Sequence, residues 1–392
     1  MSERTAPPPS SQTIPTIPFV PGLDGVPAAR SSICFIDGDQ GILEYRGYPI
    51  ETLAERSTFE ESSYMLLWGK LPPRSELDKF TRDLASNRDV RFRLIDLLKC
   101  LPDTGHPMEA LQAAIAALGM FYPDRDPMNP TDRYNSSVRI IAKAPTLVAA
   151  FHRLSHGKDY IPPKEELTHA ENFLYMITGE VPEPDVARVM DICLILHAEH
   201  SMNASTFAGR VTASTLADPY TVVSSAIGAL TGPLHGGANE QVIHMLQEIG
   251  DVDKARPFIE DLIHRKQKIM GVGHRIYRVK DPRALVLQKL AGQMIAKRGG
   301  DPLLAVAQEV EKVVAEHLGV KRIYPNVDFY SGVVYTAMGM PAALFTPVFA
   351  IARVTGWLAH WLEQIEANRI YRPDQIYTGT HNEPYLPVEE RV

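Results

Sequence analysis

Thr231-Gly232-Pro233-Leu234-His235-Gly236-Gly237-Ala238-Asn239-Glu240 lies between an apolar run ending at Leu230 and an amphipathic run from Gln241 to Ile249. The chain must turn sharply here, from one helix into another. Gly232, Gly236 and Gly237 permit positive φ and close approach of the main chain to a ligand, and Pro233 stiffens the entry. His235 is thereby presented ahead of a helix N-terminus, where the macrodipole disfavours a second ring proton and leaves a neutral imidazole able to donate one N–H. Such a group can polarise a carbonyl oxygen in an enolising site. The same residues also describe a plain turn around a core histidine, and the turn alone does not choose between the two readings.

Two further stretches bear on that choice. Gly271-Val272-Gly273-His274-Arg275-Ile276-Tyr277-Arg278-Val279-Lys280-Asp281-Pro282-Arg283 is a second glycine-rich approach to a histidine, followed closely by three arginines and a lysine. Anionic groups are expected beside it. Tyr324-Pro325-Asn326-Val327-Asp328-Phe329-Tyr330-Ser331-Gly332 sets one carboxylate at the mouth of a helix among groups that exclude water. Asp328 reads there as a base, or else as the cap of that helix.

In order and spacing, Gly-Pro-Leu-His-Gly-Gly (232–237), Gly-Val-Gly-His (271–274) with Asp-Pro-Arg (281–283), and Pro-Asn-Val-Asp (325–328) with Ser-Gly (331–332) resemble the citrate synthase family in its short bacterial form. 2-Methylcitrate synthase is a close relative. The resemblance runs from about Gly22 to about Tyr385, and three ordered motifs are far more specific than one. It implies a mainly α, two-domain helical fold with a small N-terminal β-hairpin. The implied division is a mobile tail over 1–20, a large helical domain over 21–236 and 341–392, and a small helical domain over 237–340.

The implied reaction is a Claisen-type condensation of acetyl-CoA with oxaloacetate, followed by thioester hydrolysis to citrate and CoA, an acyl transfer at the entry to the tricarboxylic acid cycle. Acetyl-CoA is then a substrate, and no cofactor or metal is needed. The methyl group of the thioester is a weaker acid than a carboxylic acid by roughly 15 pKa units, or on the order of 20 kcal/mol at ~1.4 per unit. A lone carboxylate cannot close that gap, so a base must be paired with a donor to the thioester oxygen. Carried over by position, the resemblance makes Asp328 the base, His235 that donor and His274 the group that polarises the keto oxygen of oxaloacetate; spacing alone does not separate the two histidines' roles. It makes Arg283, Arg353 and His200 substrate contacts, and Arg372 an arginine reaching into the neighbouring subunit of a homodimer with shared active sites, with higher assembly left open. Arg278, Lys268 and Gly271 fall where the family holds CoA.

Charge and composition set limits on other classes. A net charge of −7 and a pI near 6.0 argue against nucleic acid as a main partner. Cys34, Cys100 and Cys193 are few and scattered, which suits a reducing compartment. Neither an apolar stretch of about 18 residues nor a signal-like N-terminus is read, so a cytoplasmic protein with no membrane partner is expected. Residues 33–36 and 42–46 read as a hairpin, and the pattern is helical almost everywhere from Thr52. Helices are expected near 75–86, 90–101, 107–121, 133–156, 165–178, 184–200, 238–249, 254–268, 282–297 and 302–317. Pro145 should kink or divide its helix, Asp218-Pro219 should close a helix begun near Asn203, and the long apolar run from Phe345 to Asn368 should break near Gly356.

Two competing readings remain. His235, His274 and Asp328 could form a two-histidine, one-carboxylate metal centre, and His197 with His200 a metal pair, although His197 reads better as a buried, hydrogen-bonded group. The small-residue helix over 108–119 would also suit a non-catalytic assembly protein, and in any case belongs in a core or against another subunit.

Overall fold

The computed structural model describes residues 19–297 and 302–391. Most of the segment expected to be a mobile tail, residues 1–18, lies outside the described residues. Contacts divide the described chain into two units, residues 19–30 with 371–391 and residues 31–370. In the first, the extended C-terminal segment is tied to the N-terminal one by Tyr371 O–H, which donates to the Ala28 carbonyl at 3.0 Å.

The second unit opens with a sheet and continues as helices. Strands β1 (Cys34–Asp37), β2 (Ile42–Tyr45) and β3 (Tyr48–Pro49) form an antiparallel meander, Cys34 opposite Tyr45 and Tyr45 opposite Tyr48. The expected hairpin thus carries a third strand, which its two-residue length and its proline concealed. There follow α1 (Ile50–Arg56), α2 (Phe59–Trp68), α3 (Arg74–Ser86), α4 (Phe92–Lys99), α5 (Pro107–Leu118), α6 (Pro130–Leu154), α7 (His169–Thr178), α8 (Pro184–His197), α9 (Ala204–Ala213) and α10 (Pro219–Thr231). After the central turn come α11 (Ala238–Ile249), α12 (Val252–His264), α13 (Pro282–Lys297), α14 (Pro302–Leu318), α15 (Val327–Ala337) and α16 (Phe345–Glu366).

Local chemistry explains many of the ends. Thr58, Asn129, Asn203 and Asn326 cap α2, α6, α9 and α15 through side-chain oxygens, and Thr168 with Glu171 forms a capping box on α7. Asp218 accepts the N–H groups of Tyr220 and Thr221, so Asp218-Pro219 opens α10 and does not close α9, which already ends at Ala213.

Two expected breaks do not occur. Pro145 lies inside an unbroken 25-residue α6 whose residues from Ile140 to Phe151 are all buried. Removing one ladder bond costs about 3 kcal/mol, less than the burial of several large side chains at roughly 1.5–3 kcal/mol each. Likewise α16 runs unbroken through Gly356, where a Cβ would overlap the Ala198 carbonyl oxygen and Glu199 Oε2. The glycine admits a neighbouring segment and does not end the helix.

Helix α16 is the core of the unit, packed against α2, α6, α8, α9 and α10. Together with the turn before it, over Ala342–Glu366, it is long and apolar enough to pass for a membrane span, contrary to the expectation that no such stretch exists, yet 89 % of its most apolar window is buried inside the protein. Both its tryptophans, Trp357 and Trp361, are buried. Helix α5 buries Met108, Leu111, Ala114, Ile115 and Leu118 and leaves Glu109, Ala113 and Ala116 exposed along one stripe, and Met120 in the 3-10 turn that follows is exposed too.

Candidate active site

The central turn is tight by other means than expected. Gly232 and Gly237 have φ of −60° and −79°, and the requirement falls on Gly236, where a Cβ would collide with the Leu230 carbonyl oxygen and Cγ. Positive φ belongs to the second loop, at Gly271 (70°) and Gly273 (89°). A Cβ on Gly271 would come within 2.5 Å of Val242 and 3.0 Å of the Phe329 backbone, so only glycine fits.

Each catalytic imidazole candidate has one nitrogen claimed by backbone amides. The Ser205 N–H donates to His235 Nε2 at 3.3 Å, and Ser205 Oγ, which receives Trp357 Nε1–H at 3.2 Å, lies 2.9 Å from the same nitrogen. The Ser205 N–H calls for the ring proton of His235 on Nδ1, but Ser205 Oγ–H is itself given to Asn203 Oδ1 at 2.7 Å, so the Oγ contact at Nε2 does not fix that tautomer. The N–H groups of Ile276 and Tyr277 donate to His274 Nδ1 at 3.0 and 3.2 Å, which puts its proton on Nε2. Burial first, then Arg353, pushes His235 down to about 4; burial first, then Arg283, does the same to His274. Both rings are therefore neutral single N–H donors near pH 7.

His200, three residues past the end of α8, is buried with its ring 5.2 Å from that of His274, and its Nε2 is 3.2 Å from Tyr277 Oη. The sheet supports this loop: the Arg278 N–H donates to the Gly38 carbonyl at 2.8 Å, and Gly38 has no room for a side chain against Ile276.

Asp328 is joined to the His274 loop by backbone pairing. Gly273 N–H donates to the Tyr324 carbonyl (2.8 Å), Asn326 N–H to the Gly271 carbonyl (2.9 Å), and Asn326 Nδ2 to the Gly273 carbonyl (2.9 Å). Burial pushes the Asp328 carboxyl up to about 6; Arg283, Arg353 and Lys268 pull against it and Asp281 adds to it.

Two guanidinium groups act on these residues, Arg283 on His274, Arg353 on His235, and both on His200 and Asp328. Arg283 is 2 % exposed and clamped by Asp281, Nε to Oδ1 at 3.1 Å and Nη2 to Oδ2 at 2.7 Å. Burial alone would depress it, but the Asp281 pair more than offsets this and raises it. Arg353, 1 % exposed on α16, donates Nε–H to the His197 carbonyl at 2.7 Å, while its buried Nη2 has no partner among the described residues. An orphaned buried donor of this kind suits an anionic ligand.

Of the remaining sequence candidates, Arg278 and Lys268 are exposed, Arg278 Nη1 donating to the His274 carbonyl at 3.3 Å. Arg372 belongs to the unit formed by the chain ends, is exposed and faces Asp374 at 3.9 Å. His197 is fully buried with Nδ1 donating to the Cys193 carbonyl at 2.7 Å. Among the described residues no group of three His, Cys, Asp or Glu is arranged to hold a metal ion. Ser205, Trp357 and His360 carry no sequence signal, because their partners are remote in the chain; Tyr277 lies inside the second motif, but its hydroxyl partner His200 is 77 positions away.

A family model described as the citrate synthase C-terminal domain matches residues 22–374. A citrate synthase of Synechocystis sp. is 57 % identical over 374 residues, covering 95 % of this chain and 94 % of that one. One from Acidithiobacillus ferridurans is 48 % identical over 383 residues, covering 95 % and 99 %. Among solved structures, Pyrobaculum aerophilum citrate synthase superposes with a TM-score of 0.91 at 41 % identity, covering 99 % of this chain and 100 % of that one. The Thermoplasma acidophilum enzyme, solved as a ternary complex with carboxymethyl coenzyme A and oxaloacetate, gives 0.90 at 32 % identity, covering 94 % and 99 %.

Proposed function

The chain belongs to the citrate synthase family, and from that premise we propose how its own residues condense acetyl-CoA with oxaloacetate and hydrolyse the thioester to citrate and CoA. Asp328 takes a proton from the acetyl methyl group. His235 donates its Nδ1–H to the thioester oxygen as negative charge develops there. The resulting carbon nucleophile attacks the keto carbon of oxaloacetate, whose oxygen receives the Nε2–H of His274. Water then attacks the thioester carbonyl, its hydroxyl completing the new carboxyl and its other proton leaving with CoA as the thiol, while the proton taken up by Asp328 replaces the one that His274 gave to the keto oxygen. Arg283, Arg353 and His200 hold the dicarboxylate; Arg278, Lys268 and the backbone at Gly271 hold CoA.

The observation that carries this reading is the pair of partly buried imidazoles, each with one nitrogen met by a backbone N–H, beside buried guanidinium groups of which Arg353 Nη2 has no partner among the described residues. The test is thiol release from acetyl-CoA with and without oxaloacetate: release that needs both substrates supports the reading, and none overturns it. Propionyl-CoA is the competing thioester. One methylene shifts preference by only ~1–3 kcal/mol, so a comparison of kcat/KM for the two decides between citrate and 2-methylcitrate synthase. The assignment uses no metal or cofactor, so activity should survive exhaustive chelation; loss reversed by a divalent metal would favour the metal-centre reading.

The working form is a cytoplasmic homodimer with shared sites, Arg372 of each subunit serving the other and the exposed small-residue stripe of α5 supplying a face on which two copies can approach. Residues 237–340 act as a small domain that closes on the large one, over 21–236 and 341–392, hinging at the turn beside His235 and near Gly339, whose φ is 80°. Solution scattering with and without oxaloacetate tests closure; an unchanged radius of gyration counts against it.

A further inference from the structure

Glu199 sits between His197, whose carbonyl holds Arg353, and His200, yet the chemistry above gives it nothing to do. Its side chain is fully buried. Oε1 receives His360 Nε2–H at 3.0 Å, while Oε2 has no hydrogen-bond partner among the described residues and packs over Gly356. The His360 tautomer is set from behind: Arg210 Nη1–H donates to His360 Nδ1 at 2.9 Å, so the ring's own proton must be on Nε2. Arg210, also buried, is fixed in turn by Gln364 Oε1 (3.1 Å) and Glu363 Oε2 (2.7 Å), and Glu363 Oε1 accepts the Ser32 N–H at 2.8 Å. On the other side of Glu199, Tyr45 Oη–H donates to the Glu199 carbonyl at 2.7 Å.

The residues of α16 that engage this network recur at one helical spacing. Arg353, Trp357, His360 and Gln364 fall at i, i+4, i+7 and i+11, on one face of the helix. That face grips the dicarboxylate with Arg353, props Ser205 behind His235 with Trp357, and anchors the 197–200 segment with His360. A buried carboxylate anchored at a single oxygen is a costly arrangement for mere packing, since the same volume of apolar side chain would serve as well or better. Its use is geometric: it ties the backbone that carries His200, and that accepts Arg353 Nε–H, to the helix that carries Arg353.

We propose that the buried Arg210–His360–Glu199 relay is a positioning device for oxaloacetate, holding His200 and Arg353 at a fixed separation so that the empty site already matches a dicarboxylate. This rests on the reaction proposed above. It assigns His360 and Glu199 as positioning residues that touch no substrate. Because acetyl-CoA is held by other loops, the relay should govern one substrate and not the other.

The test compares the KM values of the two substrates on the purified full chain, with three variants at His360. Asparagine places its amide near the former Nδ1 and glutamine near the former Nε2, so His360→Gln can still donate to Glu199 while His360→Asn cannot; both fill the space that His360→Ala leaves empty. The relay is supported when His360→Ala and His360→Asn raise the oxaloacetate KM about tenfold or more, as expected for a lost hydrogen bond to a buried charged group, with the acetyl-CoA KM within about threefold of wild type and His360→Gln restored. It is overturned if the two KM values rise together, if neither moves, or if glutamine and asparagine behave alike. Should His360→Ala fail to fold, the asparagine and glutamine pair decides alone. Wild-type protein that releases no CoA with both substrates would remove the functional reading itself, an outcome distinct from a wild-type enzyme whose variants show no split.

Discussion

Asn326, not Asp328, caps α15: its Oδ1 accepts the Asp328 N–H at 2.9 Å, which frees the aspartate carboxyl from the role most common for an acid at a helix start. Burial then raises that carboxyl from 3.8 to about 6. As a base it must be ionised, so kcat/KM should fall about tenfold per pH unit below pH 6 and level off above it. Stability moves the other way. The folded state holds the proton between pH 3.8 and 6 while the unfolded state has lost it, so ionising Asp328 costs stability that is absent below about pH 4 and complete above about pH 6. Asp328→Asn should therefore lose most turnover and still bind oxaloacetate, while gaining on the order of 2–3 kcal/mol against denaturant at pH 7, at ~1.4 per unit. A variant equally inactive but no more stable would break the link between burial and basicity.

The helices bounded by clear caps and turns were legible: α11 and α13 begin and end where periodicity and proline place them, and the three motifs lie on the loops expected of them. What failed was local punctuation inside the core. Pro145 and Gly356 both signal breaks, but each lies in a helix packed on all sides, where tertiary burial outweighs one missing bond or one glycine. The supports of the site were illegible for another reason. Trp357 reaches Ser205 across 152 positions and His360 reaches Glu199 across 161; a single chain carries no pattern that links them.

The backbone donors into His235 and His274 make a spectroscopic prediction. With labelled imidazole nitrogens, both should report neutral rings throughout pH 5.5–8, His235 as the Nδ1–H and His274 as the Nε2–H tautomer, with no titration until the pH approaches about 4. A ring that titrates near 6.5 would mean that the site is wetter than its burial indicates. The opposite tautomer at either residue would remove the donor from the oxygen it is meant to serve.

Gly356 lies directly against the 197–200 segment, so Gly356→Ala puts a methyl group into the Ala198 carbonyl and Glu199 Oε2. Helix propensity alone predicts a gain of about 1 kcal/mol from this change, whereas overpacking predicts a loss of about 1–3 kcal/mol. Overpacking should win, because the atoms in the way are a backbone carbonyl and the carboxylate of a fully buried side chain. The expected result is a lower thermal midpoint together with weaker oxaloacetate binding; a stabilised, fully active variant would show that the two segments can separate at no cost.

Arg372 is 82 % exposed and makes its only ion pair among the described residues with the equally exposed Asp374 at 3.9 Å, a geometry that suggests no task within its own chain. If each site takes this arginine from the other subunit, two inactive variants should rescue one another. Asp328→Asn and Arg372→Ala would each give a nearly dead homodimer. In the mixed dimer, the site on the Arg372→Ala chain keeps its own Asp328 and receives an intact arginine from its neighbour, while the other site lacks both. Random exchange between equal amounts makes about half of the dimers mixed, so about a quarter of all sites should work. Unfolding and refolding the variants together, then assaying CoA release, measures that fraction. If each chain instead used its own arginine, the mixed dimer would have no intact site, and activity would stay at the level of the parents.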